Sequence, residues 1–68
     1  MRTWLVDLRR KSGLSQMAVA KAAGMAQSYY AMIETGDRGH PLPAGTAKRL
    51  AAVLGFEWTR FFEDAESA

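Results

Sequence analysis

SQMAVAKAAGMAQSYYAMIETG, residues 15–36, decides the fold of this chain. The stretch reads as two short helices joined by a tight turn. Ser15 carries an oxygen able to cap the first of them. Ala20 lies four residues after Gln16, and Gly24 four after that. Two helices that cross steeply touch most closely near the middle of the first, where only a side chain as small as Ala20 fits. The turn calls for a residue that accepts positive φ at little cost, and Gly24 does. The second helix has to bury one face and show the other. Its periodicity turns Tyr30, Ile33 and Glu34 inward, and Ser28, Ala31, Met32 and Thr35 outward. A rod of this kind protrudes far enough to enter the major groove of DNA.

Upstream, Thr3 is placed to cap a first helix of about ten residues, with Trp4, Leu5 and Leu8 on its buried side and Gly13 as its exit. The second helix is expected from Gln16 to about Ala23 and the third from Gln27 to Thr35. Gly36 to Pro43 (GDRGHPLP) is punctuated by Gly and Pro and reads as a loop. A fourth helix from Ala44 to Leu54 carries Ala47, Leu50, Ala51 and Leu54 on one face, and Gly55 ends it. A short fifth helix follows near Trp58 to Phe62, and Glu63 to Ala68 is polar and expected to fray. No segment alternates with a period of two. The fold class is therefore all-α, a compact bundle of about five short helices, with one domain over residues 1–63 and a tail at 64–68.

A chain of 68 residues buries a small core and is marginal unless it packs efficiently or associates. The absence of cysteine excludes disulfides and thiolate metal sites. The apolar runs fall far short of a membrane span, and Asp7, Arg9 and Arg10 interrupt any secretory signal, so a cytoplasmic protein is expected. The one histidine, His40, precedes a proline in the loop. With no nucleophile–base pattern, paired carboxylates, phosphate-binding glycine loop or metal-ligand cluster, the chain reads as no enzyme and as needing no cofactor. The net charge of +2 is unevenly spread. Residues 1–49 hold eight Lys/Arg against three Asp/Glu, while residues 50–68 set Arg60 against four acids. A basic body suits a polyanion, and the acidic end should face away from it.

The chain resembles the lambda repressor/Cro-type helix-turn-helix regulators, also called the Xre family. The resemblance is carried by Arg9-Arg10 ending the first helix, Gly13-Leu14-Ser15-Gln16 leading into the second, Ile33-Glu34-Thr35-Gly36 closing the third, and the LAAVLGF run at 50–56. It covers nearly the whole chain and implies that residues 16–35 are the helix-turn-helix proper. It also implies that the start of the third helix reads base edges, which here falls to Gln27, Ser28 and Met32. A glutamine amide can pair bidentately with adenine, and a methionine suits a thymine methyl, so the bound site should hold at least one A·T pair. Tyr29 lies at the flank, within reach of a phosphate or sugar. Gln16 is expected to touch a phosphate and brace the first reader. Lys11, Arg38, His40 and Lys48 are further phosphate candidates, with Arg10 and Lys21 weaker ones. The resemblance also implies a pair between Arg9 and Glu34 that ties the reading helix to the scaffold, with Arg9 still able to reach a phosphate.

Three positions depart from the family habit. Tyr30 replaces a branched aliphatic residue and needs both room, expected from Ala22 and Ala23, and an outlet for its hydroxyl. Ala26 lacks the oxygen usual just before the reading helix. Thr35 replaces a common asparagine. At the far end Phe56, Trp58, Phe61 and Phe62 crowd one short segment. Phe56 and Phe61 are expected inside, and Trp58 and Phe62 at a homodimer interface that sets two reading helices one DNA turn apart. The function that follows is a sequence-specific DNA-binding regulator, a repressor acting as a dimer on a near-palindromic operator. The alternative is an antitoxin or other protein-interaction module using the acidic aromatic C-terminal helix for its partner.

Overall fold

Five α-helices follow one another along the computed structural model: α1 (Thr3–Lys11), α2 (Gln16–Ala22), α3 (Gln27–Thr35), α4 (Ala44–Leu54) and α5 (Arg60–Ser67). The structure describes residues 1–36 and 42–67, with side chains in the last helix described through Glu63. Among the described residues there is no strand, and the all-α expectation holds.

The pair α2–α3 forms as its sequence dictates. Ser15 is extended, and its hydroxyl accepts the Ala18 N–H at 3.1 Å, closing the start of α2. At the other end Gly24 takes φ 72. Its N–H then donates to Lys21 O at 3.1 Å and the Met25 N–H to Ala20 O at 2.9 Å. This paired reversal satisfies two carbonyls that the helix leaves over, and it turns half-buried Met25 against the core. Ala20 is buried, as a close crossing of α2 and α3 requires.

The core gathers Leu5 from α1, Val19 and Ala20 from α2, Tyr30 and Ile33 from α3, Ala47, Leu50 and Leu54 from α4, and Phe61 from α5. Fully burying a side chain such as Leu5 or Leu50 stabilises by roughly 1.5–3 kcal/mol, so every helix contributes at least one anchor. The apolar face expected on α4 is the face that is buried. On α1, Leu5 is buried as expected, Trp4 and Leu8 are only half-buried, and Val6 joins the interior.

Two expectations about helix ends are corrected. Thr3 does not cap α1. Arg2 occupies the cap position without a side-chain cap bond, and exposed Thr3 is the first helical residue. The reason is tertiary: the Arg2 N–H is drawn to Glu34 O at 2.8 Å, while the Arg2 carbonyl accepts from Leu5 and Val6. The fifth helix begins at Arg60 rather than near Trp58, and its helical backbone runs to Ser67 through residues expected to fray. Its start is displaced because Glu57, Trp58 and Thr59 form a turn whose carbonyls accept the N–H groups of Arg60, Phe61 and Phe62. That turn swings Phe61 under Trp4. Trp4, Phe56 and Phe61 then meet edge to face with centroids 5.1–5.5 Å apart, each contact adding about 0.5–1.5 kcal/mol beyond its buried area.

Candidate nucleic-acid interface

The two faces of α3 differ sharply. Gln27, Ser28, Tyr29, Met32 and Thr35 are exposed, and Ala31 is half-buried. Met32 keeps 43% of its surface open, beside exposed Tyr29 on the same helix. The opposite face holds Tyr30, Ile33 and Glu34, with Glu34 only 1% exposed.

A carboxylate this buried needs donors, and three helices supply them. Arg9 at the end of α1 donates from Nε to Oε2 at 2.5 Å, with Nη2 3.5 Å from Oε1. Gln16 in the first turn of α2 donates from Nε2 to Oε1 at 2.8 Å. Tyr30, one turn earlier in α3 itself, donates its hydroxyl to Oε2 at 2.6 Å. Arg9 also spans the α1–α2 turn by donating from Nη1 to Leu14 O at 3.0 Å. The Arg9–Glu34 pair is therefore present as expected.

The ionisation of the cluster follows from this geometry. Burial alone would push the Glu34 carboxyl up, but the hydrogen bonds from Arg9, Tyr30 and Gln16 outweigh it and hold it below the usual carboxylate range. Burial, then the bond to the Glu34 carboxylate, pushes the Tyr30 hydroxyl above its ordinary value. The bond to Glu34 raises Arg9 further, against its own desolvation. At neutral pH the cluster is one anion, one cation and two neutral donors, a combination that fixes the rotation of α3 about its axis.

Helix α3 begins without such help. Ala26 is extended and offers no side-chain bond, so no side-chain cap occupies the first-turn amides beside Gln27, Ser28 and Tyr29. The arrangement is a short rod, fixed at its C-terminal turn, that presents polar side chains and first-turn N–H groups without a side-chain cap at its N-terminal end. A helix-turn-helix domain family matches the chain over residues 5–59.

The chain belongs to that helix-turn-helix family.

It is also 45% identical over 64 residues to a protein of Bacillus subtilis (strain 168) described as the uncharacterized HTH-type transcriptional regulator YqaF, a match covering 94% of this chain and 82% of that protein. No solved structure matches it. The family resemblance, carried by motifs from Arg9 to Phe56, is thus borne out, with α2 and α3 as the two helices of the motif.

The remaining candidates are distributed unevenly around the helix-turn-helix. Gln16 is half-buried, with its amide donating to Glu34. Arg9 has three of its five N–H groups engaged and a side chain 14% exposed, which ties it to the scaffold. Lys11 and Arg10 are exposed at the end of α1, and Lys21 at the end of α2. Lys48 is exposed on α4, with its ammonium 5.0 Å from the centroid of the Trp58 ring. Arg38 and His40 lie outside the described residues. Trp58 and Phe62 are half-buried, their rings 5.7 Å apart and edge to face, and both pack against the core.

Two features of the site escaped the sequence. The outlet for Tyr30 is Glu34, four residues on and so directly above it on the same helix. Its room does not come from Ala22, which is exposed, while Ala23 is buried beside it in the core. The second is Arg2, whose role no local motif marks. Its guanidinium Nη1 donates to Ile33 O at 2.5 Å. The signal available in the sequence was spacing: Arg2 precedes Arg9 by seven residues, two helical turns, and so faces the same side of α1.

Among the described residues no helix is long and apolar enough to cross a membrane, and no cluster of His, Cys, Asp or Glu could hold a metal ion.

Proposed function

We propose that this helix-turn-helix protein is a sequence-specific DNA-binding transcriptional regulator, a repressor acting as a dimer on a near-palindromic operator. The observation that carries the reading is the contrast within α3: exposed Gln27, Ser28, Tyr29 and Met32 stand on a helix whose other face is fixed through buried Glu34. Base readout needs both properties, since a hydrogen bond to a base edge tolerates only a few tenths of an ångström. Gln27 is assigned to an adenine, Met32 to a thymine methyl, and Ser28 to either neighbour. Tyr29, Gln16 and Lys11 are assigned to the backbone, joined by Arg38, His40 and Lys48. Arg9 is assigned to the brace on Glu34 and, through its remaining N–H groups, to a phosphate. The half-buried Trp58–Phe62 pair is assigned to the two-fold contact, which would set the reading helices about one DNA turn apart. Repression would follow from occupancy of promoter DNA.

The test is selection of bound duplexes from a random pool, followed by titration of the selected duplex and a scrambled one over a range of salt. Two inverted half-sites containing A·T pairs are expected, with affinity that falls steeply as salt rises because phosphate contacts release counterions. Equal affinity for all duplexes near physiological salt would end this reading.

A further inference from the structure

Arg2 sits where three helices meet. Its carbonyl accepts the N–H groups of Leu5 at 3.0 Å and Val6 at 3.2 Å, which opens α1. Its own N–H donates to Glu34 O at 2.8 Å, and its guanidinium donates to Ile33 O at 2.5 Å, both in the last turn of α3. The guanidinium carbon also lies 5.3 Å from the centre of the Phe61 ring in α5. The closing carbonyls of a helix lack donors from within it, and that end carries partial negative charge, so a cation with several N–H groups is well matched to it.

The placement matters because a second arginine acts on the same turn. Arg2 and Arg9 lie on one side of α1, about 10 Å apart along its axis, with fully buried Leu5 between them. Arg9 takes the Glu34 side chain; Arg2 takes the Glu34 and Ile33 main chain. The bonds to the Glu34 side chain fix the rotation of α3, while the main-chain bonds from Arg2, which reach the same turn from the far end of α1, also resist its tilting. Helix α3 is nine residues long, or about 13 Å, so a tilt of about 5° about its C-terminal turn moves Gln27 by about 1 Å.

We infer that Arg2 is a positioning residue for base reading: it clamps the last turn of α3 to α1 and Phe61, and so sets the angle at which Gln27, Ser28 and Met32 meet the groove. The inference rests on the proposed DNA-reading function. Displacing the readers weakens short base contacts far more than it weakens phosphate contacts made by long, flexible side chains. Loss of Arg2 should therefore lower discrimination between duplexes more than it lowers affinity for DNA in general.

The test uses the full chain and Arg2→Ala and Arg2→Lys variants, each held well below its melting temperature with helicity checked by circular dichroism. Affinities for the selected and the scrambled duplex are measured at several salt concentrations. Arg2→Ala should reduce the ratio of the two about five- to tenfold, the low end of the loss of one bidentate base contact, with an unchanged salt slope. Arg2→Lys, which keeps a cation but not the planar fork, should recover part of the ratio. In the DNA-free protein, Arg2→Ala should speed amide exchange in α3 selectively. A lowered melting temperature with an unchanged ratio and unchanged α3 exchange would overturn the inference, as would a salt slope reduced by about one, which marks a direct phosphate contact. Should Arg2→Ala fail to fold, Arg2→Lys carries the same comparison. If the unaltered protein prefers no duplex, the functional reading fails, and the clamp is judged by the exchange of α3 alone.

Discussion

The two ends of α3 are built on opposite plans. At the C-terminal end, α1 and α2 converge on Glu34, Tyr30 joins them from the preceding turn, Arg2 donates to two carbonyls, and Gly36 closes the helix with φ 72. At the N-terminal end, Ala26 supplies no cap and the next three side chains are exposed. One end commits directional bonds to the scaffold; the other, among the described residues, has no side-chain cap on its donors. A helix that must offer its N-terminus to a partner has to be held from behind, and buried charge does this better than apolar packing. A carboxylate with several donors permits one orientation, whereas a leucine permits several. The comparison also makes a testable division, since stability should respond at one end and recognition at the other.

Glu34→Gln should break the held end. The side chain keeps its shape, but an amide offers one acceptor oxygen to three donors, and Arg9 loses its counter-charge in a poorly exposed site. Removing one partner of a buried pair costs about 3–5 kcal/mol, much of the stability of a domain this small. Urea unfolding followed by circular dichroism measures it, and a cost under about 1 kcal/mol would mean that something else holds α3. The acid limb gives the sign independently. The folded-state pKa of Glu34 is depressed, so its contribution is complete above the usual carboxylate range and is lost as pH falls through the lower folded value. The wild-type protein should lose stability on acidification below about pH 4, and that part of the slope should be missing in Glu34→Gln.

Tyr30→Phe sharpens the same end at smaller cost. It removes one of the donors and leaves Arg9 and Gln16 in place, so a loss of about 1.5–3 kcal/mol is expected, the range for a hydrogen bond to a charged group. The hydroxyl titrates above its ordinary value when folded, so its contribution is complete below about pH 10 and is lost as pH rises through the raised value. Stability measured on the alkaline side should fall for the wild-type protein and fall less for Tyr30→Phe. Equal alkaline slopes would place the hydroxyl outside the Glu34 cluster.

What the sequence revealed, and what it hid, divides along similar lines. Gly24, Ser15 and the inward period of Tyr30, Ile33 and Glu34 act within a few residues of themselves, and their roles could be read from spacing and φ preference. The Arg9–Glu34 pair spans 25 residues and was reachable only through family resemblance. Arg2 acts across 31 residues with no such guide. Thr3 looked like a cap because cap chemistry is local, yet a long-range bond from Arg2 to the end of α3 decided where α1 begins. The start of α5 is hidden from the sequence for the same reason: helix propensity and polarity describe residues 58–67, but Phe61 is drawn under Trp4 by packing that neither describes. The exposed face of α3 was legible as a pattern of outward positions; the bonds that orient it were not.

At the free end, Ala26→Ser should raise stability. Ala26 has φ −70 and ψ 145, close to the φ −78 and ψ 166 of Ser15, whose hydroxyl already caps α2. The backbone is therefore in the right conformation for a cap and lacks only the oxygen. A gain of about 1 kcal/mol is expected, which for a domain of this size raises the melting temperature by about 4–8 °C. A calorimetric or dichroism melt settles the sign. No gain would mean that the first-turn amides of α3 are already satisfied, and the contrast between its ends would be weaker than it looks.

Gln27→Ala should move stability least and recognition most. The side chain is exposed at the first turn of α3 and makes no hydrogen bond among the described residues, so unfolding should change by no more than about 0.5 kcal/mol. If it reads an adenine, its loss should cost about 1–3 kcal/mol of discrimination at one base pair. Affinity for the selected duplex would then fall by about five- to 150-fold, while affinity for a scrambled duplex and the salt slope stay as they were. Glu34→Gln predicts the reverse balance, a large loss of stability for a residue that touches no base. Should both substitutions lower stability and selectivity together, the division of α3 into a held end and a reading end would have to be given up, because position and contact would then be properties of the same residues.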